Sequence, residues 1–363
     1  MTVNQIVMYV LAFGAALGGV DHLLGNRFGY GEKFESGFRM MGTVALAMAG
    51  GICVSPLVSL ALEWTVGPLC ELLHLDPAIF GTVLSTDMGG YQLSTELARD
   101  PQFGLLCSFV ICSIFGCTVV YSIPVGLGFL KEEDWPYFTK GILLGLTAMP
   151  AAIIVACLML KMNLGTTLWN CMPVFLLSLA LGVGVMKKPD LMIRGFRGFA
   201  KLIRKMAILG LMLGAVSHLS GITLIPRLMP LKESMQIIIS LSIAMLGSMP
   251  LSELIQRILK APFEKINKKV GINGAGTTSL LMSMFGATPA LALLAGTNHR
   301  GQIVISACLV SLINTFGAHF VMANTYAPEV VPAMIVSKVA GTLVAGIISL
   351  YATRDMRPGA KAQ

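Results

Sequence analysis

One carboxylate stands inside an otherwise apolar stretch, in Ser85-Thr86-Asp87-Met88-Gly89-Gly90. An acid at membrane depth costs about 2.5–3.5 kcal/mol on the insertion scale, so it needs a partner or a role. It can cap a following helix by accepting from backbone N–H groups, and it can serve as counter-charge to a bound cation; the two uses are compatible. Gly89 and Gly90 let the chain turn tightly and bring carbonyls to a ligand, and as plain loop residues they would turn the same way without one. A second interrupted stretch carries Phe285-Gly286-Ala287-Thr288-Pro289, where glycine and proline again break a helix.

Around these stretches lie Tyr91, Tyr121 and Trp64, whose ring faces could hold a small cation. Interfacial anchoring is the commoner use, above all for Trp64. Asn314, His319 and Asn324 share a later apolar run. On that span Asn314 and His319 fall about 500° apart and so off one face, and interhelical hydrogen bonding explains them at least as well. Lys338 either balances Asp87 or snorkels to the surface. The candidate binding set is Thr86, Asp87, Met88, Gly89, Gly90, Tyr91, Tyr121, Gly286, Thr288, Asn314 and His319. No phosphate-binding loop, H-E-x-x-H motif or nucleophile elbow occurs, so no catalytic residue, metal or cofactor is assigned. An enzyme would need an acid and a base meeting in the core, for which His22 and His218 near helix ends are weak candidates.

The elements that must position these residues are membrane helices. Of 363 residues, 55% are hydrophobic and 12% charged, with a mean hydropathy of +0.78, whereas soluble domains carry about a quarter charged residues. Nine apolar runs, near 5–24, 38–62, 102–127, 137–160, 168–186, 205–226, 235–256, 302–324 and 330–352, have the length of a bilayer crossing. The first begins behind an uncharged stub without a cleavage signature, so it reads as a retained helix. A net charge of +8 does not point to nucleic acid, because the basic residues sit in short loops as topology signals do. Eight cysteines without metal or redox spacing read as small core residues.

Counting basic residues decides whether the broken stretches cross. The basic 187–205 loop is placed in the cytoplasm. If both stretches cross, giving eleven crossings, 14 basic residues fall inside and 11 outside. If both fold back as re-entrant hairpins, 21 fall inside, and only Arg99, Lys161, Arg227 and Lys232 outside. The second arrangement is expected: nine crossings, N-terminus outside, C-terminus inside.

The chain also repeats itself. Gly14-x-x-x-Gly18-x-x-x-His22 recurs as Gly210-x-x-x-Gly214-x-x-x-His218, Ala47-Met48-x-Gly50 as Ala244-Met245-x-Gly247, Phe115-Gly116 as Phe316-Gly317, and Thr139-Lys140 resembles Ser337-Lys338. The expected all-α plan has a first repeat at 1–160 with hairpin 78–100, a linking helix and basic loop at 161–204, a second repeat at 205–353 with hairpin 271–298, and a cytoplasmic tail at 354–363. Four crossings per half and one linking helix make the halves antiparallel, the inverted-repeat plan of secondary transporters.

The stretch from Asp87 to Ala98 resembles the ethanolamine permease family (EutH) of bacterial ethanolamine-utilisation systems. So do Phe34-Glu35-x-Gly37-Phe38-x-x-Met41-Gly42, Leu46-Ala47-Met48, and Ser122-Ile123-Pro124-Val125-x-Leu127-Gly128. The resemblance implies uptake of ethanolamine across the inner membrane, facilitated or ion-coupled, with ethanolamine and membrane lipid as partners, no nucleic acid, and homo-oligomerisation left open. Ethanolamine is a primary amine and should be largely protonated at neutral pH, as lysine is. A small cation suits Asp87. A transporter of another small cationic or polar metabolite is the alternative, with a membrane-embedded enzyme or sensor further behind.

Overall fold

The computed structural model describes residues 3–84 and 90–356, which form helices and connecting turns and no strand. Thr86, Asp87, Met88 and Gly89 of the candidate set lie outside the described residues. The first half comprises α1 (Val3–Leu23), α2 (Tyr30–Leu73), α3 (Ala78–Leu84), α4 (Gly90–Leu97) and α5 (Pro101–Leu106). From α5 the chain winds on as π-helix over Cys107–Gly116 and Thr118–Ser122 into α6 (Ile123–Phe129), followed by α7 (Trp135–Thr147) and α8 (Met149–Met159). Next come α9 (Leu164–Asn170) and α10 (Met172–Lys187), then α11 (Pro189–Ser220) and α12 (Leu231–Val270). The chain ends with α13 (Gly274–Ser283), α14 (Ala287–Leu294), α15 (His299–Leu312), α16 (Ala318–Tyr326) and α17 (Val331–Ala352).

Six of these helical segments are long and apolar enough to cross a membrane, or seven when the bent pair α9–α10 counts as one span. Two of the nine expected runs fall short of that test. Among the described residues, α1 contributes the shorter apolar helix Met8–Leu23, and the run at 302–324 is broken between α15 and α16. The basic 187–205 stretch, expected as a loop, is helical on both sides of Lys188, ending α10 and opening α11. Pro189 fits the first turn, and lysine and arginine are good helix formers, so α11 carries its charges beyond the apolar segment Lys201–Ser220.

Local chemistry sets the starts of these helices. α2 begins behind Gly29, a left-handed residue with no side chain to cap it. Its first N–H groups are met instead by the buried Asp21, whose carboxylate accepts from Phe28, Tyr30 and Gly31 at 2.9, 2.8 and 3.0 Å.

Both broken stretches fold back on themselves. Asp76 accepts from Ala78 N at 2.9 Å through one oxygen, and from Arg99 N and Asp100 N at 3.1 and 2.8 Å through the other. One carboxylate therefore ties the start of α3 to the residues beyond α4. In the second half, Asn273 donates to the Gly296 carbonyl at 2.8 Å and Asn298 to that of Gly271 at 3.0 Å, while Ser279 Oγ reaches Ala290 O at 2.7 Å between the arms. Asp76 and Asp100 match Asn273 and Asn298 at shifts of 197 and 198 residues, in register with the sequence repeat.

The stretches matched in sequence meet in a reciprocal seam. α1 packs on α12 and α11 on α2, while α2 and α12 pack on each other. A Cβ on Gly14 would lie 2.3 Å from the Gly247 oxygen, and one on Gly210 would lie 2.1 Å from the Gly50 oxygen. Conversely, Gly247 lies against the Leu11 oxygen and Gly50 against that of Ala207. The glycines matched in sequence are the ones that touch, each in the opposite half, as a two-fold interface requires.

Loop contacts sort by the two ends of α2. Near Leu73, Trp169 donates to the Leu73 carbonyl at 3.0 Å, Asn170 accepts from Asp76 N at 2.9 Å, and Arg99 lies 3.4 Å from Glu71. Near Tyr30, Arg257 donates to the Phe28 carbonyl at 2.8 Å and Lys33 lies 3.8 Å from Glu253. The first hairpin opens beside Leu73, whereas the second leaves α12 beyond Arg257. Forty-four helical residues, about 66 Å, separate the ends of α2.

Candidate functional site

α15 stops at Leu312 because Ile313 turns extended, with ψ of 133°, and Asn314 enters the left-handed region at φ of 54°, which asparagine tolerates better than most side chains. A helix broken inside a buried core strands polar backbone groups, and these must find partners. The Ile313–Asn314 peptide group finds two. Its oxygen accepts from Lys338 Nζ at 2.8 Å, and its N–H donates to the Ser283 carbonyl at 2.8 Å. Two residues on, Phe316 N donates to Met284 O at 2.7 Å, and the Phe316 and Phe285 rings lie 6.0 Å apart. The second hairpin's tip is thereby stitched to the break between α15 and α16.

Lys338 comes from the middle of α17 and is 0% exposed. Its ammonium lies 2.9 Å from Nδ1 of His319, itself only 4% exposed. An ammonium offers three donors and no acceptor, so a charged Lys338 requires a lone pair on Nδ1 and places the imidazole proton on Nε2. The C-terminal carbonyls of α15 carry partial negative charge, which favours a cation there. Lys338 therefore does not snorkel. It is held inside the protein by the break itself.

The other arm of the second hairpin is fixed by Thr288, near the start of α14 after the extended Gly286, whose hydroxyl is hydrogen-bonded to Tyr121 OH. Tyr121 belongs to the π-helical stretch, and all ten residues of Cys107–Gly116 are buried. Such windings recur at functional sites, since one extra residue per turn re-aims the side chains. Tyr91, beside Gly90 at the start of α4, stacks on Tyr326 at 5.0 Å and tilts against Phe109 at 5.1 Å.

The structure thus joins Thr288 to Tyr121, Asn314 to the second hairpin tip, and His319 to Lys338, while Tyr91 stands in a separate aromatic group. The angular separation of Asn314 and His319 assumed one helix. The break removes that premise, and Lys338 reaches both the peptide ahead of Asn314 and the His319 ring. Sequence reasoning left Lys338 outside the site although a lysine deep in an apolar run was its visible signal; Ser283 and Tyr326 carried no such mark. Trp64 is 82% exposed, which suits an anchor, and His22 and His218 are exposed at the ends of α1 and α11. All eight cysteines are buried and none is joined in a disulfide.

The family model described as "Ethanolamine utilisation protein, EutH" matches residues 3–353, nearly the whole chain. The chain belongs to the EutH family. It is 32% identical over 364 residues to a probable ethanolamine permease EutH of Listeria monocytogenes, covering 100% of this chain and 98% of that one. It is 28% identical to a probable ethanolamine permease EutH of Salmonella typhimurium, covering 98% and 97%. It is also 34% identical to the uncharacterised protein YxeR of Bacillus subtilis, covering 97% and 96%. No solved structure matches significantly. By its helices the chain is a multi-pass membrane protein, and the names of its Listeria and Salmonella relatives are those of a transporter, not of an enzyme.

Proposed function

We propose that this chain carries ethanolamine, in its ammonium form, across the cytoplasmic membrane into the cell. The observation that carries this reading is the meeting of the second hairpin's tip with the broken helix at the buried polar groups Asn314, His319 and Lys338, the more exposed Thr288–Tyr121 pair fixing the hairpin's other arm. Broken segments at membrane depth are what transporters use to hold small polar solutes. The names of the Listeria and Salmonella relatives support ethanolamine as that solute. The hairpins, opening at different ends of α2, and the reciprocal glycine seam support an inverted repeat. That repeat has nine crossings, an outer N-terminus and an inner C-terminus, with halves at 1–160 and 205–353 joined by 161–204 and a cytoplasmic tail at 354–363. Asp87 is the counter-charge assigned to the substrate ammonium, with Thr86, Met88, Gly89, Gly90, Tyr91 and Gly286 completing the site.

Competition against labelled ethanolamine tests the substrate. A site built for one ammonium and one hydroxyl leaves polar groups unpaired when either is missing. Unlabelled ethanolamine should compete best, ethylamine less well, and neutral ethylene glycol least. Equal competition by the neutral diol would contradict an anionic site.

A further inference from the structure

Tyr91 is grouped above with Asp87, but its ring stacks on the second half of the chain, at Tyr326. We propose that Tyr91, Tyr326 and Glu329 form a second ammonium-binding site, at the entrance beside the first hairpin, where the primary ammonium is captured before it passes to Asp87. The inference rests on the ethanolamine reading and deepens it.

Three observations carry it. The first is that the ring contact has a counterpart in the other hairpin. Thr288, in the first turn of the second hairpin's returning arm, meets Tyr121 of the first half, and Tyr91, in the first turn of the first hairpin's returning arm, meets Tyr326 of the second half. The hairpins match at a shift of 198 residues, which carries Tyr91 to Pro289, next to Thr288. Phe115-Gly116 and Phe316-Gly317 match at 201, which carries Tyr121 to Met322, one helical turn before Tyr326 in α16. Each returning arm therefore closes on a tyrosine of the opposite half.

The second observation concerns the phenol hydroxyls. A buried tyrosine ordinarily finds a partner for its O–H. Among the described residues, neither the Tyr91 nor the Tyr326 hydroxyl has one, and both side chains are only partly buried. Phe109, 3% exposed, tilts against Tyr91 and backs the pair from the core.

The third is an acid at the same place. Glu329 lies three residues beyond Tyr326, in the turn that Val330 N closes on Ala327 O at 2.9 Å. It is exposed, has no ion-pair partner among the described residues, and its charge acts on the Tyr91 phenol. An ammonium offers three donors and no acceptor. Two phenol oxygens and one carboxylate supply acceptors for all three, and the rings add the attraction of their faces for a small cation. A carboxylate at an entrance also raises the local concentration of cations.

Initial rates of labelled-ethanolamine uptake into proteoliposomes, over a range of concentrations, test the inference. Glu329→Gln keeps the shape of an exposed side chain, and Tyr326→Phe keeps the ring against Tyr91. Each should raise KM by about three- to ten-fold with the maximal rate within about two-fold of the wild type, and Glu329→Asp should raise KM less. Salt screens an exposed charge and screens a carboxylate at membrane depth much less. Raising potassium chloride on both sides from about 20 to about 200 mM should therefore raise the wild-type KM at least about two-fold and leave that of Glu329→Gln nearly unchanged. A variant KM equal to that of the wild type, a loss of maximal rate without a change in KM, or a salt response that survives in Glu329→Gln overturns the entrance site and leaves the permease reading standing. Absence of saturable uptake by the wild type overturns that reading itself.

Discussion

Lys338 and Ser283 hold opposite ends of one peptide group, the ammonium on its oxygen and the Ser283 carbonyl on its N–H, each at 2.8 Å. Removing the lysine strands a buried carbonyl, which costs about 1–3 kcal/mol. Lys338→Ala should lower the thermal unfolding temperature in detergent, and Lys338→Met, which restores most of the packing, should lower it less. Wild-type stability in both variants would mean that Lys338 does not hold the break.

The reciprocal seam makes paired forecasts. Leu in place of Gly50 or Gly247 puts a branched side chain where the Ala207 or Leu11 oxygen now lies, a form of overpacking that typically costs about 1–3 kcal/mol. Both substitutions should reduce folded yield and unfolding temperature to a similar degree. A large effect at one position and none at its counterpart would contradict a two-fold seam.

Tyr121 and Thr288 tie the π-helical stretch to the second hairpin by one hydrogen bond between side chains. Tyr121→Phe and Thr288→Val should each reduce uptake by about three- to ten-fold, in keeping with one hydrogen bond of ~1 kcal/mol. The double variant should be little worse than either single one. Full additivity in a double-mutant cycle of uptake rates would show that the two side chains act separately.

Sidedness can be read by cysteine labelling in a background with the native thiols replaced. His74 and Arg99 flank the first hairpin, Asn273 and His299 the second, and all four are exposed. Cysteines at the first pair should both react with an impermeant reagent added outside intact cells, and those at the second pair should both be protected. Opposite labelling across either hairpin would support eleven crossings.

Much of this architecture was legible in the sequence, for physical reasons tied to particular residues. A bilayer forces long apolar runs, so most of the spanning helices could be read from composition, and glycine and proline marked the two stretches where helices break. Gly14, Gly50, Gly210 and Gly247 were visible because close backbone approach admits no side chain, and such positions repeat when halves do. The break at Ile313–Gly317 was not legible. Asn314 tolerates the left-handed region without demanding it, and the acceptor of Lys338 is a backbone carbonyl, which no residue letter records. The π-helical winding of Cys107–Gly116 was hidden for the same reason, since it changes backbone partners and not residue types. The stitch between Ser283 and Asn314 is likewise a bond between backbones.

The account turns on a small cation carried past a membrane-depth carboxylate, so the most direct measurement is labelled-ethanolamine flux into proteoliposomes containing only this chain. Asp87→Asn removes the charge and keeps most of the shape and capping ability, whereas Asp87→Glu keeps the charge. Uptake by the wild type should be saturable and well above that of empty vesicles, at a concentration where entry of the neutral amine is small. At matched reconstitution, Asp87→Asn should lose at least about ten-fold of that rate, and Asp87→Glu should retain part of it. Flux no greater than in empty vesicles, or an Asp87→Asn protein that transports like the wild type, would contradict the account.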